Sequence, residues 1–510
     1  MKESDIPIVV ISLVSIRKLQ VSEFIFESSN FYFESADHFC YSFSETPVNT
    51  GLARETMRKK WDEQLSIWHY LPKNRVSREL AGISEVLDAH PEVLESVFKD
   101  LSKAHRIDTG RDGMAAEQVL RCAVLKQYRN LTYEELEFHL QDSWTFRAFS
   151  KLRMGQHPSS STLQENIKAL SPETWKAVHE ATLRYAERES LEKGRKARID
   201  STVVETNIHM PTDSTLLQDG IRIITRWLSE GQELSPRPTY CFVDHNRRAK
   251  KRCLEISHAK REIVRERAYK DLLSLAEQVC GYARAAIPIL EEYIHPVEIQ
   301  RLRAQGLAKK LEEAVGILTR VIGQTERRVL RGEMVPAEEK IVSFFECHTD
   351  IIVKDRRETH YGHKVFLTGG RTGLILDCVV ERGNPSDTSL FPVLIERQER
   401  LYGRPPRQVS ADGGFASQNN LGQAKSRGVQ DVAFAKKKGL SVLEMVKSNW
   451  VYKQLRNFRA GIEANISRLK RRFGFSRCDW TGWVGFQQYV WSALVSYNLL
   501  VLARIKLAIA

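Results

Sequence analysis

Lys196-Ala-Arg-Ile-Asp-Ser-Thr-Val-Val-Glu-Thr206 interrupts a chain that otherwise reads as helical on either side of it. β-Branched residues dominate this run, which predicts a strand, and one aspartate, Asp200, stands in its middle. A second strand is predicted at Gln408-Val-Ser-Ala, and it ends in Asp412. Two glycines follow Asp412, and their conformational freedom predicts a sharp turn that leaves the carboxylate exposed. Taken singly, such acids are more often hydrogen-bonded or edge residues than reactive ones.

Working outward, residues 57–190 carry helical periodicity. Leu120, Val124 and Leu125 form an apolar stripe, and Thr132-Tyr-Glu-Glu135 and Thr162-Leu-Gln-Glu165 have the form of capping boxes that open helices. Short helices with tight turns and Arg121, Lys126, Arg129, Arg147, Lys151 and Arg153 among them suit a helix-turn-helix-like DNA reader, or a plain bundle with a solvated basic face. A long, charged helical region is predicted over about 216–338. Further strands are predicted at Lys340–Phe345, Asp350–Lys354, Val365–Leu367, Leu374–Val380 and Val429–Ala435, with a helix over Leu390–Tyr402 and helices to the C-terminus. This alternation implies a mixed α/β sheet domain with helical cover.

The chain has 510 residues, enough for about three domains. Its 77 basic residues exceed its 64 acidic ones, a formal charge of +13, and this surplus favours a polyanionic partner. The surplus is uneven. Residues 1–50 hold three basic and seven acidic residues, Asn246–Lys270 ten and three, and Val451–Trp480 eight and two. Residues 1–56 are therefore expected to be a dispensable leader, and a chain starting at Met57 is expected to keep its activity. The second cluster includes Arg247, Arg248, Lys250 and Lys251, expected as DNA phosphate contacts or, alternatively, as a solvated helix face. Eight dispersed cysteines without a CxxC pair read as reduced thiols of a cytoplasmic protein. The apolar run Tyr489–Ala503 is broken by Ser492, Ser496 and Asn498 and reads as a buried helix, so no membrane association is expected. Cys241, His245, Cys253 and His258 have zinc-like spacing but sit in or near a charged helix, and they are read as non-ligands.

A third acid, Glu463, lies in the third cluster, where Arg459, Glu463 and Lys470 follow a spacing that aligns them along one helical face. Three carboxylates gathered from distant segments and ringed by cations suit phosphodiester chemistry, in which two hard divalent ions about 4 Å apart activate the nucleophile and stabilise the leaving oxygen. Asp377, Glu381, Asp387 and Asp213 are read as supporting or surface acids. Trp480 and Trp483 are read as packed aromatics.

Three segments carry a resemblance: Asp200-Ser-Thr-Val-Val-Glu-Thr-Asn-Ile-His-Met-Pro-Thr-Asp-Ser, Ala411-Asp412-Gly-Gly-Phe-Ala-Ser417 and Arg459-Ala-Gly-Ile-Glu463-Ala-Asn-Ile-Ser-Arg-Leu-Lys470. Together they resemble the three acidic motifs of bacterial insertion-sequence DDE transposases. Arg459, Glu463 and Lys470 match that family's Y-x2-R-x3-E-x6-K signature, and Arg456 stands at its tyrosine position. The region Ala115–Leu152 is similar to the family's helical N-terminal domain. The resemblance implies an RNase H-like mixed sheet with helical cover over residues 191–510 and a helical DNA-binding domain over 57–190; the long interval from Asp200 to Asp412, against the short one from Asp412 to Glu463, places a basic helical insertion at about 216–338 between the first two acids. It implies Asp200, Asp412 and Glu463 as catalytic residues holding two Mg²⁺ ions, with Mn²⁺ as a substitute. It implies double-stranded DNA contacts from Arg456, Arg459, Lys470, Arg471 and Arg472, a homodimer or larger complex on DNA, and a place at the bacterial nucleoid. The alternatives are an RNase H-like nuclease that does not join strands, and an inactive DNA-binding derivative.

Overall fold

The computed structural model describes residues 74–104, 113–354 and 358–509. The expected leader, residues 1–56, lies outside them. Seven helices come first: α1 (Arg75–Asp88), α2 (Val93–Ala104), α3 (Ala116–Arg129), α4 (Tyr133–Asp142), α5 (Trp144–Phe149), α6 (Ser160–Lys168) and α7 (Pro172–Arg188). The expected capping box opens α4: Thr132 Oγ1 accepts from the Glu135 N–H at 3.1 Å, and Glu135 accepts from the Thr132 N–H at 2.8 Å. The second expected box is displaced. Helix α6 is capped by Ser159 and begins before Thr162, because the serine run supplies an earlier acceptor, Ser159 Oγ, for the Thr162 N–H.

The strand β1 (Lys196–Glu205) then leads into four helices: α8 (Asp213–Gln232), α9 (Asn246–His258), α10 (Glu262–Glu291) and α11 (Glu298–Thr325). After them come β2 (Asp350–Lys354), β3 (Glu358–Gly369), β4 (Ile375–Val380), α12 (Asp387–Tyr402), β5 (Gln408–Ala411), α13 (Gln418–Ser426), β6 (Asp431–Phe434), α14 (Val442–Met445), α15 (Asn449–Arg472) and α16 (Gly482–Ile509). The expected strand at Lys340–Phe345 does not form. Its Ile341 and Phe344 instead pack into the core of the α8–α11 helices, so apolar composition there reflects burial and not pairing.

Six strands make one mixed sheet in the order β2-β3-β1-β5-β6, with β4 also paired to β3. β1 runs antiparallel to β3 and parallel to β5, and β5 runs parallel to β6. This mixed sheet with helices on its faces is consistent with the expected RNase H-like fold. Side chains alternate between the faces. Ala197, Ile199, Phe366 and Val409 enter a core shared with α12, α13 and the start of α15. Val204, Val365 and Leu367 enter the other core, which also holds α1–α7, the later part of α15 and α16. Helix α16 is long and apolar enough to cross a membrane by length and composition, but most of it is buried inside this core. Helices α8–α11 bury a third apolar core of their own.

Glycine is required where β1 and β3 cross most closely. A Cβ at Gly362 would lie 2.1 Å from the Val204 carbonyl oxygen, a backbone atom that cannot step aside. Gly362→Ala is expected to lower unfolding stability by about 2–4 kcal/mol. Gly281, inside α10 with open space around it, is the contrast. Gly281→Ala is expected to raise stability by up to ~1 kcal/mol, the intrinsic helix preference of alanine. Denaturant unfolding of the two variants checks both signs.

Candidate functional site

Parallel pairing of β1 with β5 sets Ile199 opposite Ala411. The next residues, Asp200 in the middle of β1 and Asp412 just past the end of β5, therefore stand side by side. Both fall on the face opposite Ile199 and Ala411, the face that α15 crosses. Helix α15 brings Glu463 from that side. Ser448 Oγ caps α15, and its Ile462 and Leu469 are fully buried, which fixes the rotation of the helix.

Arg459, one turn before Glu463, joins the three acids. Its Nη2 lies 2.7 Å from Glu463 Oε1, and its Nη1 lies 3.5 Å from Asp200 Oδ2 and 3.7 Å from Asp412 Oδ1. Asp200 is the most enclosed of the three acids, and its side chain is only 17% exposed. Burial raises its pKa to about 6, reinforced by the Asp412 and Glu463 charges and opposed by the Ser201 N–H and Arg459.

The turn carrying Asp412 is held between two side chains. A Cβ at Gly413 would lie 2.7 Å from Lys436 Cβ, and one at Gly414 would lie 2.2 Å from Asp387 Oδ2. Neither glycine adopts positive φ. The pair thus serves close packing, and the expected freedom to turn is not what it supplies. Asp387, read from the sequence as a supporting or surface acid, stands behind the three acids. It accepts from Ser201 Oγ at 3.2 Å and pairs with Lys364 Nζ at 2.7 Å, so it touches the residue after Asp200 and the turn after Asp412 together. Its partner lies on another strand, and no local spacing signals the link.

The expected DNA contacts divide into two groups. Arg456, Arg471 and Arg472 are exposed on α15 and Lys470 is partly buried there. Arg468, Arg471, Arg472 and Ala464 line an open groove of about 380 Å³. Arg247, Arg248, Lys250 and Lys251 are exposed on α9, which packs on α8 and α10 and not on α15. There Arg248 and Arg252 both bond Asp271. In the N-terminal helices Arg121, Lys126 and Arg147 are buried. Arg121 bonds Glu117 at 3.0 Å and Asp88 at 2.7 Å, and Lys126 lies over the Tyr133 ring. Those three cannot face DNA; Arg129 is exposed.

The remaining acids are structural. Asp377 receives both arms of Arg397 at 2.6 and 2.7 Å, and Asp213 is held by Arg328 and Gln324. Trp480 is buried, and Trp483 stacks on Phe486 beneath Arg382. Among the described residues, no three His, Cys, Asp or Glu are disposed to hold a metal ion as they stand. Around Asp200, Asp412 and Glu463 the intervening position is taken by the Arg459 guanidinium. The donors themselves are carboxylate oxygens, the kind a hard divalent cation takes.

A family model described as Transposase DDE domain matches residues 349–499, and one described as Transposase domain (DUF772) matches residues 69–169. The two matches indicate an insertion-sequence DDE transposase. The DDE match includes Asp412 and Glu463 but begins after Asp200, which reaches them only through β1 pairing. The second match spans α1–α6. No curated protein and no solved structure matches. DDE transposases serve DNA transposition as enzymes of nucleotidyl-transferase type, act on DNA, and normally use divalent metal ions.

The raised pKa of Asp200 gives a stability test for this transposase without metal. The folded protein holds a proton at Asp200 up to about pH 6, whereas the unfolded chain releases it near 3.8. Stability is therefore lost as pH rises between those values, and the loss is complete above the upper one. Asp200→Asn removes this penalty. It is expected to raise unfolding stability by about 1–2 kcal/mol at pH 7.5, with the gain vanishing below pH ~4. Thermal unfolding in EDTA across pH measures it.

Proposed function

We propose that this transposase cleaves DNA at the ends of its element and joins the freed ends to target DNA, with Asp200, Asp412 and Glu463 as the acidic triad. The observation that carries the reading is the single Arg459 cation shared by three carboxylates from β1, β5 and α15. Like charges from such distant segments repel one another, and a cation held among them relieves that repulsion. A bound Mg²⁺ pair, or Mn²⁺ in its place, would supply Lewis-acid polarisation of the phosphate and a nucleophile activated at neutral pH.

The chain's own residues do the rest. Asp200, inside hydrogen-bonded β1, and Asp412, directly after β5, would give a rigid base for the cation, and Glu463 would close the site from α15. Arg459, once displaced from the acids, is positioned to grip a phosphate by two parallel N–H bonds, while Lys470 acts as a point charge. Arg456, Arg468, Arg471 and Arg472 extend this positive track along α15. In cleavage, water oxygen bonds to phosphorus as the P–O3′ bond breaks, leaving a 3′-OH and a 5′-phosphate. In joining, that 3′-oxygen bonds to a target phosphorus and the target's own P–O3′ bond breaks. Helix α9 is a second basic surface, and two copies are expected to pair two ends, as the family resemblance implies.

The test uses double-stranded DNA bearing the element's ends, target DNA and Mg²⁺. Asp200→Ala, Asp412→Ala and Glu463→Ala are each expected to reduce both cleavage and joining by ~100-fold or more, at least as much as loss of a supporting residue does. Cleavage without joining supports the nuclease alternative, and wild-type joining by any of the three variants overturns the assignment. DNA affinity is expected to fall steeply with salt. Arg471→Ala and Arg472→Ala should each lower the slope of log affinity against log salt by about 0.9. An unchanged slope, measured by fluorescence anisotropy, removes α15 from the DNA track.

A further inference from the structure

Asp412 is held more loosely than Asp200. It is 45% exposed, against 17% for Asp200. Among the described residues its carboxylate is drawn only toward Arg459, at 3.7 Å. Its place is therefore set by its backbone, and that backbone leans on Asp387. The Gly414 α-carbon sits where any side chain would strike Asp387 Oδ2. Thr388 Oγ1, one residue on, donates to the Gly414 carbonyl at 2.9 Å. Asn420 Nδ2 bonds both the Thr388 and Phe415 carbonyls, at 2.8 and 2.9 Å.

The other end of Asp387 holds β1 and β3. Its Oδ1 receives Lys364 Nζ at 2.7 Å and Ser201 Oγ at 3.2 Å, and Lys364 Nζ also reaches the Pro385 carbonyl at 3.3 Å. Both partners are mostly shielded, with 17% of the Lys364 side chain and 20% of the Asp387 side chain exposed. A shielded pair of this kind holds its geometry far better than an exposed one, because neither charge can drop its partner and return to water. By strand alternation Ser201 and Lys364 point to the face opposite Asp200, and Lys364 lies over the Phe366 ring in that face's core. The pair therefore does not belong to the cation-facing triad and acts on it from behind.

We infer that the Asp387–Lys364 ion pair is the positioning element of the site: it fixes the Asp412 turn against β1 and so sets the spacing of the Asp412 and Asp200 carboxylates. This rests on the reading of Asp200, Asp412 and Glu463 as the cation-holding triad. Asp387 and Lys364 touch neither cation nor DNA and are positioning residues.

The test measures Mn²⁺ affinity of the full chain without DNA, by electron paramagnetic resonance of the free ion. Thermal unfolding of each variant reports that it is folded. Glu463→Gln, the reference for loss of a ligand, is expected to abolish tight binding. Asp387→Asn and Lys364→Met are each expected to weaken Mn²⁺ binding about tenfold, as supporting residues of metal sites do. The double variant is expected to lose no more than the worse single one, because the two act as a unit. Thr388→Val removes only the bond to the Gly414 carbonyl and keeps both charges; a loss of about threefold is expected, and it serves if Asp387→Asn does not fold. Wild-type Mn²⁺ affinity in a folded Asp387→Asn or Thr388→Val protein overturns the inference and leaves the triad standing. Absence of Mn²⁺ binding by the wild-type chain overturns the triad and the inference with it.

Discussion

Three carboxylates brought together on one face of a sheet repel one another, and a cation among them relieves that repulsion. In this chain the cation is the Arg459 guanidinium, which reaches Asp200, Asp412 and Glu463 at once. Much of the molecule serves that convergence. The β1–β5 pairing sets the two aspartates side by side, and the buried stripe of α15 turns Glu463 and Arg459 toward them. The unfavourable electrostatics are visible in Asp200, whose pKa is raised by burial and by its acidic neighbours. Such a site is held under tension by the surrounding fold, and a multivalent cation relieves that tension better than one guanidinium can.

The fold supplies the necessary stiffness by sharing its core widely. Helices α1–α7 bury their apolar faces in the same cluster as α16 and one face of the sheet. Asn498 on α16 bonds both the N–H and the carbonyl of Ile375 in β4, at 2.9 and 2.7 Å. The segment matched by the second transposase model thus shares its core with one face of the sheet. By contrast α8–α11 bury a core of their own, and a long insertion between β1 and β2 can be carried without disturbing the sheet.

Much of this was legible in the sequence where local chemistry decides the outcome. The β-branched run around Asp200 became β1, the Thr132 box capped α4, and the serine-broken apolar run became the buried α16. Legibility failed where a distant partner decides. Arg121 and Lys126 count as positive charge in composition but are buried against acids and an aromatic ring. Ile341 and Phe344 have strand-like chemistry but fill the insertion core. Gly413 and Gly414 looked like a flexible turn, yet they answer to the close approach of Lys436 and Asp387. Asp387 itself sits in an unremarkable Ser-Asp-Thr-Ser stretch, and its importance exists only once β1, β3 and the turn after β5 have met.

We propose that Arg459 keeps the place of a divalent cation among Asp200, Asp412 and Glu463. Anomalous diffraction from crystals of this transposase equilibrated with Mn²⁺ tests it most directly. Manganese density bounded by those three carboxylates is expected, with the Arg459 side chain turned away from them. Arg459 still bridging the acids at saturating Mn²⁺, with manganese bound elsewhere, would contradict it.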